Sequence, residues 1–194
     1  LAVLREAIAQ RFVERGLPTT ADQIMVTSGA QQAVRLLLGT LTSPGDRVLI
    51  DHPTYPNALE AIRRVGARPV PVPVRPAEGD WDLDGIRSAA RQTAAKVAYL
   101  IPDFHNPTGQ VLDAEGRAEL ARITRDTRMT LIVDETMVDL WLDAPPPPPV
   151  ASFGRVSGSD IVTIGSASKS FWGGLRIGWI RAHPSLVSQL AGSR

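Results

Sequence analysis

Several residue types and patterns that would define a function class are missing from this sequence. It has no cysteine, which excludes disulfides and thiolate metal sites, and its three histidines, His52, His105 and His183, are scattered. The formal net charge of +1 gives no indication of a basic surface that would bind nucleic acid or acidic lipid. No apolar run approaches the length of a membrane span, and no stretch has the pattern of a signal peptide. We therefore predict no metal site, and no contact of these residues with nucleic acid or membrane.

The chain also lacks internal repeats and the glycine motifs of nucleoside-triphosphate and dinucleotide sites. Its 194 residues suffice for one domain with a sizeable core. It begins Leu-Ala-Val-Leu without an initiator methionine and ends Gly-Ser-Arg soon after a strand-like segment. We expect residues 1–194 to form one domain of a longer protein, with the cytoplasm as its default location.

Short β-rich runs alternate with helical stretches along most of the chain. Helices are predicted at residues 1–15, 30–41, 58–65, 83–92 and 114–127, and strands at 24–27, 47–50, 68–74, 97–101, 130–133, 160–164 and 176–180. Near-continuous apolar strands that alternate with helices indicate a mostly parallel sheet covered on both faces. The predicted fold is an α/β three-layer α/β/α sandwich with about seven strands, in which ligands bind beyond the carboxyl ends of the strands.

Two stretches are predicted to have structural roles only. The five prolines from Pro145 to Pro149 exclude a helix or a central strand, so an extended surface loop is expected there. The segment Asp80-Trp-Asp-Leu-Asp84 is typical of a turn that leads into a helix, with Asp82 or Asp84 as the cap.

A polar segment, Thr27-Ser-Gly-Ala-Gln-Gln32, follows the first predicted strand and opens a helix. The free backbone N–H groups at this helix start, together with the helix dipole, would hold an anion such as a phosphate. The alternative is a plain helix start with Ser28 as its cap.

Two further loops follow predicted strands and each presents one polar side chain. In Asp51-His-Pro-Thr-Tyr-Pro56, two prolines stiffen a loop that carries Tyr55, whose ring would stack on a planar heterocycle or simply pack. In Pro102-Asp-Phe-His-Asn-Pro-Thr-Gly109, the Asn-Pro-Thr-Gly turn holds Asn106, whose amide would donate to a ring oxygen. An isolated Asn-Pro pair is also common in ordinary turns.

Asp134 comes directly after the apolar run Leu131-Ile-Val133, at the end of a strand predicted to be buried. A carboxylate in that position needs a partner. A pyridinium N–H would stabilise it and would keep the ring protonated as an electron sink. A salt bridge or a helix cap is the alternative.

One lysine, Lys169, lies in the run from Gly165 to Gly178, where two serines, Ser166 and Ser168, stand just before it and Arg176 follows seven residues later. A lysine at the edge of apolar strands lies at the surface or is deprotonated and used as an amine. The second alternative has a well-known form, a Schiff base to pyridoxal phosphate, with hydroxyls and a guanidinium on the phosphate.

Together these segments supply a partner for the phosphate, ring face, ring oxygen, ring nitrogen and aldehyde carbon of this one ligand. The chain resembles the large domain of fold-type I pyridoxal-phosphate-dependent enzymes, in the class I/II aminotransferase group. The resemblance runs over essentially all 194 residues. It is most specific in Asn106-Pro-Thr-Gly109, in Asp134 and in the run from Ser166 to Gly178.

The resemblance implies a role for each candidate residue. Lys169 would form the Schiff base and then shuttle protons. The implied phosphate contacts are the backbone around Gly29, Ala30 and Gln31, the hydroxyls of Ser166 and Ser168, and the guanidinium of Arg176. The implied ring contacts are Tyr55 on the ring face, Asn106 at the phenolic oxygen and Asp134 at the ring nitrogen.

The chain departs from the family pattern at Met137. Many members carry a tyrosine three residues after the aspartate, and its hydroxyl donates to the phenolate oxygen. Methionine cannot donate, so the proton affinity of the Schiff base should rise. The family's small C-terminal domain, with its arginine for the substrate carboxylate, and its N-terminal segment fall outside these residues.

The resemblance implies transfer of an amino group between an amino acid and a 2-oxo acid, in a homodimer, because the family's site forms at a dimer interface. Turnover by this segment alone is not expected. The alternative is the effector- or coenzyme-sensing domain of a GntR/MocR-type transcription regulator, which would carry a DNA-binding domain upstream. A scaffold that no longer binds the coenzyme is the third reading.

Overall fold

We describe residues 1–75, 80–154 and 160–192 of a computed structural model of the chain. The helices in these ranges are α1 (Ala2–Glu14), α2 (Ala30–Leu41), α3 (Pro56–Arg64), α4 (Leu83–Thr93), α5 (Ala114–Thr127) and α6 (Pro184–Gly192). The strands are β1 (Ile24–Thr27), β2 (Arg47–His52), β3 (Arg68–Arg75), β4 (Asp80–Trp81), β5 (Val97–Leu100), β6 (Thr130–Asp134), β7 (Ile161–Ser166) and β8 (Gly178–Arg181).

All the strands belong to one sheet, in the order β1-β8-β7-β6-β5-β2-β3-β4. The five central strands, from β7 to β3, are parallel, whereas β8 and β4 pair antiparallel to their neighbours. Because β1 is antiparallel to β8, it runs in the same direction as the central strands. The carboxyl ends of β1, β2, β5, β6 and β7 therefore lie at one edge of the sheet.

Helices cover both faces of this sheet, as the alternation of elements predicts. On one face, α2, α3 and α6 pack on alternate strand residues, among them Val48, Tyr99 and Ile164. On the other face, α4 and α5 pack on the intervening residues, among them Leu49 and Leu131. The helix α1 packs beside β1 and β8 through Ile8 and Phe12. Each fully buried aliphatic side chain contributes about 1.5–3 kcal/mol, so the two cores hold the strand ends in place.

The α/β three-layer fold with a mostly parallel sheet is thereby confirmed, and the seven predicted strands are present. Three elements differ from prediction. The strand predicted to begin at Arg176 begins at Gly178, and Arg176 precedes it with a φ of +50°. The start of the segment predicted as a turn, Asp80–Trp81, is a two-residue edge strand paired with β3. The helix α6 was not predicted, because its amphipathic pattern is short.

The cap predicted for the helix after Trp81 and the loop predicted at the five prolines are both present. Asp82 caps α4 by accepting from the backbone N–H of Gly85 at 2.8 Å, and Pro145 to Pro149 form an irregular segment. In the described part of the chain, no helix has the length and apolar character needed to cross a membrane.

Candidate active site

The segments that follow β1, β2, β5, β6 and β7 enclose a cleft of about 650 Å³. Nine of the ten predicted site residues line this cleft: Ala30, Gln31, Tyr55, Asn106, Asp134, Ser166, Ser168, Lys169 and Arg176. The tenth, Gly29, precedes α2 and lies under the guanidinium of Arg176. A wider cleft of about 880 Å³ lies between the N-terminal ends of α4 and α5 and contains none of these residues. The sheet therefore brings all ten to one place.

Two glycines allow a close approach of backbone and guanidinium at the start of α2. Gly29 has a φ of +80°, and a Cβ on it would lie 2.7 Å from Nη2 of Arg176. A Cβ on Gly178 would lie 2.7 Å from the backbone N of Ala30. Arg176 also donates from Nη2 to the carbonyl oxygen of Ser28 at 3.3 Å. The first N–H groups of α2, which have no acceptor within the helix, thus lie beside a cation, as an anion site requires.

The end of β7 supplies two hydroxyls beside the lysine. The Ser166 hydroxyl donates to the carbonyl oxygen of Ile177 at 3.3 Å and accepts from the N–H of Ser168 at 3.1 Å. The Oγ atom of Ser168 is buried and has no hydrogen-bond partner within the described residues. A buried polar atom without a partner costs about 1–3 kcal/mol, so Ser168 keeps capacity for a ligand. Lys169 follows, exposed and lining the cleft.

Asp134, the last residue of β6, is a buried carboxylate held by two donors. The Tyr99 hydroxyl donates to its Oδ2 atom, and the N–H of Thr136 donates to Oδ1 at 2.8 Å. Burial raises the pKa of Asp134 above its ordinary value, although the hydrogen bonds from Thr136 and Tyr99 oppose that rise. Asp134 forms no ion pair within the described residues, so the salt bridge considered from the sequence does not occur there.

The tyrosine and asparagine predicted to contact a ring also reach the cleft. Tyr55, half-buried, immediately precedes α3, and its hydroxyl accepts from Nδ2 of Asn57 at 2.8 Å. Asn106 is exposed, and its side chain makes no hydrogen bond within the described part of the chain. Both side chains are therefore available to a ligand from neighbouring strands, β2 and β5.

Met137 lines the same cleft three residues after Asp134. Its thioether has no proton to donate and is at most a weak acceptor. The departure from the family pattern thus lies within the cleft. Of Met137 and Asn106, which both line it, only Asn106 has a side chain that can donate a hydrogen bond.

Tyr99 is the main site residue that sequence reasoning missed. It lies in the continuous apolar strand β5 and has the pattern of a core residue. It pairs with Ile132, two residues before Asp134, which brings its hydroxyl to the carboxylate. Burial, followed by the charge of Asp134, raises the pKa of Tyr99 well above its ordinary value, so Tyr99 stays protonated as a donor. Only the register of two parallel strands reveals this contact.

These features of fold and cleft define an α/β domain built to bind a small anionic ligand. Residues 1–193 match the family model of aminotransferase class I and II, and the chain belongs to this family. Among solved structures, it is similar to LysN, an α-aminoadipate aminotransferase of Thermus thermophilus complexed with N-(5'-phosphopyridoxyl)-L-leucine. The TM-score is 0.90 at 27% sequence identity, over 100% of this chain and 48% of that one.

The curated relatives include both enzymes and regulators. An uncharacterized HTH-type transcriptional regulator of Escherichia coli, YdcR, is 32% identical over 93% of this chain and 38% of its own length. A 2-aminoadipate transaminase of Thermus thermophilus is 28% identical over 92% of this chain and 45% of its own length. The chain thus spans less than half the length of these relatives.

Proposed function

We propose that this chain is the pyridoxal-phosphate-binding large domain of a longer aminotransferase-like protein, in which Lys169 holds the coenzyme through its Nζ amine. The proposal rests on one observation: partners for every part of this coenzyme converge on one cleft, although they come from five separate strand ends. The whole protein would transfer an amino group between an amino acid and a 2-oxo acid.

The end of the cleft beside α2 suits the phosphate. Its donors are the first backbone N–H groups of α2, the guanidinium of Arg176 and the two serine hydroxyls. Two observations test this fit. The Oγ atom of Ser168 is buried without a partner in the described residues, and side chains on Gly29 and Gly178 would fill the space between the donors.

The opposite end of the cleft suits the ring. A protonated ring nitrogen would stabilise a buried carboxylate with a raised pKa, and each oxygen of Asp134 can accept one further hydrogen bond besides the one from Tyr99 or Thr136. The amide of Asn106 would donate to the ring oxygen, and Tyr55 would restrain one ring face. These three side chains would therefore contact the ring nitrogen, the ring oxygen and one ring face.

When bound, pyridoxal phosphate supplies an electron-accepting ring that stabilises the carbanion left when an amino acid loses its α-proton. Lys169 would move that proton, because its flexible arm lets Nζ reach successive positions from the rim of the cleft. Asp134 would keep the ring nitrogen protonated. Arg176 and the serines would hold the phosphate still, which keeps the reacting atoms beside Nζ.

An exposed apolar face lies next to Lys169. Phe171 is 79% exposed, Trp172 67% and Leu175 44%. Exposed aromatic clusters of this kind mark interaction surfaces. We therefore propose that the whole protein is a cytoplasmic homodimer in which this face is covered by the partner subunit.

A second candidate function is the sensing domain of a transcription regulator. The similarity to the HTH-type regulator YdcR over 93% of this chain favours it, as does the replacement of the family tyrosine by Met137. In that case the cleft would bind the coenzyme or an effector, and an upstream domain would bind DNA. The residues encoded before Leu1 discriminate between the two functions: a basic helix-turn-helix favours regulation, and a segment that covers the cleft favours catalysis.

The decisive experiment uses the fact that the chain has two lysines, Lys96 and Lys169. The full-length protein is incubated with pyridoxal phosphate, reduced with borohydride and digested, and the modified lysine is located by mass spectrometry. We expect the adduct on Lys169, together with an absorbance band that Lys169→Ala abolishes. Lys96→Ala is the matched control, because Lys96 pairs with Asp46 at the opposite edge of the sheet. An adduct on Lys96, or no adduct on this chain, overturns the proposal.

A further inference from the structure

Asp51 is a buried carboxylate that the proposed function does not use. It lies one residue before the end of β2 and is 1% exposed. Its Oδ1 atom accepts from the indole N–H of Trp81 at 2.9 Å, and its Oδ2 atom accepts from the backbone N–H of Ile101 at 2.8 Å. Burying a carboxylate is costly unless hydrogen bonds compensate it, and these two donors supply that compensation.

His105 lies against the same carboxylate. Its ring is fully buried, with Nε2 3.5 Å from Oδ2 of Asp51 and Nδ1 2.8 Å from Oγ1 of Thr108. The ring also meets the indole of Trp81 edge-on, with centroids 5.7 Å apart. The 3.5 Å contact is longer than an ordinary hydrogen bond, and the buried Nε2 atom has no hydrogen-bond partner within the described residues.

The backbone of His105 closes the turn that carries Asn106. The N–H of His105 donates to the carbonyl oxygen of Gln110 at 2.8 Å, and the N–H of Gly109 donates to the carbonyl oxygen of His105 at 2.6 Å. Asn106, whose side chain has no hydrogen bond within the described residues, follows directly. The orientation of the Asn106 amide therefore depends on where His105 is held.

Asp51 joins the two loops from which the ring contacts come. The loop after β2 carries Tyr55, and the loop after β5 begins at Ile101 and carries Asn106. The strands β2 and β5 are parallel neighbours, so their two loops leave the sheet side by side. One carboxylate thus contacts the second loop at its start and, through His105, at its middle.

We propose that Asp51 and His105 are positioning residues that hold Asn106 at a set distance from the Tyr55 loop, so that a planar ring fits between the two side chains. The inference rests on the proposed function. A purely structural role for the pair would reduce stability without any dependence on Asn106, whereas a positioning role acts through Asn106 and disappears when that side chain is removed.

The test is a double-mutant cycle on the full-length protein, with the dissociation constant of pyridoxal phosphate as the readout. His105→Phe keeps a ring against Trp81 and removes both nitrogens. We expect about 10-fold weaker binding in the wild-type background and less than about 2-fold in an Asn106→Ala background. His52→Gln, at the exposed last residue of β2, is the matched control and should leave affinity unchanged.

A second measurement keeps the inference testable if His105→Phe folds poorly. Asp51→Asn preserves the shape of the side chain and should increase hydrogen exchange at the amide of Gly109, which reports on the turn directly. Equal weakening in both backgrounds, or unchanged affinity and exchange in both variants, overturns the inference. Failure of the unmutated protein to bind pyridoxal phosphate would instead overturn the proposed function, so the two failures are distinguishable.

Discussion

The two ends of the cleft are built in different ways. At the end beside α2, the groups that face the cleft are backbone N–H groups, short hydroxyls and one exposed guanidinium, and glycines make their approach possible. At the ring end, the key group is a buried side chain, Asp134, which depends on Tyr99 from the neighbouring strand. The first end is organised by backbone segments that glycines allow to approach closely, whereas the second is organised by a contact between two buried side chains of neighbouring strands.

This difference predicts whether a substitution in the cleft changes mainly the structure or mainly the chemistry. A side chain added at the α2 end intrudes on backbone that cannot move far, so it should damage structure and phosphate binding together. A polar atom removed at the ring end leaves the backbone in place, so it should change chemistry more than fold.

The largest effect is expected at the ring end, from Asp134→Asn. The amide has nearly the same shape but cannot stabilise a protonated ring nitrogen as a carboxylate does, so the rate of amino transfer by the full-length protein should fall by about 10³. Coenzyme affinity should change much less, because the phosphate donors are intact. Steady-state kinetics and a coenzyme titration measure the two quantities. Asp84→Asn, at a solvent-exposed position, is the control, and an unchanged rate in Asp134→Asn contradicts the comparison.

The next effect is expected at the α2 end, from Gly178→Ala. The new Cβ would lie 2.5 Å from the carbonyl carbon of Gly29, so the unfolding free energy should fall by about 3 kcal/mol and coenzyme binding should weaken with it. Urea denaturation measures the first quantity. Gly39→Ala in α2 is the matched control, because its Cβ has no neighbour within 4 Å and alanine favours helix. Equal stability of Gly178→Ala and the wild type would show that the two segments are not closely packed.

A smaller effect is expected from Tyr99→Phe. Loss of the hydroxyl leaves Oδ2 of Asp134 without that donor, at a cost of about 2 kcal/mol in unfolding free energy, since the acceptor is a buried carboxylate. Affinity for inorganic phosphate should not change, which separates the two ends of the cleft. Tyr55→Phe provides the control in the unfolding experiment, because within the described residues the Tyr55 hydroxyl makes one hydrogen bond, which it accepts from exposed Asn57. A loss of phosphate affinity in Tyr99→Phe would show that the two ends of the cleft are coupled and would contradict the distinction between them.

The last effect is a change of stability with pH, and it originates at Glu135, the residue that follows Asp134. Burial raises the pKa of Glu135 from 4.5 to about 7, although the nearby charge of Arg15 opposes the rise. Between these pH values the folded protein keeps a proton that the unfolded chain has lost. The contribution of Glu135 to stability is therefore greatest below pH 4.5 and falls as the pH rises to 7, by at most about 1.4 kcal/mol per unit.

Unfolding free energies measured from pH 5 to 7.5 test this dependence. Glu135→Gln should flatten the profile relative to the wild type, whereas Glu115→Gln, at an exposed position, should leave it unchanged. Parallel profiles for Glu135→Gln and the wild type would mean that the carboxyl does not titrate in this range.

Most of the fold was predictable because its signals are local. Apolar runs bounded by turns marked seven strands, and α2 and α5 begin and end where their patterns do. The edge strand Asp80–Trp81 was not predictable, because two residues carry no periodicity and its pairing depends on β3. Lys169 is exposed and also lines the cleft, which the sequence could not show because burial depends on packing from distant segments.

In the candidate site, too, some features were predictable from local sequence and others were not. The ten candidates were selected from residue types that follow predicted strands together with the family resemblance, because parallel strands place their carboxyl ends at one edge and a turn motif such as Asn-Pro-Thr-Gly consists of consecutive residues. The contacts that set the chemistry of those candidates were decided by tertiary structure. Tyr99 meets Asp134 across 35 positions and His105 meets Asp51 across 54, and only strand register and burial bring such pairs together.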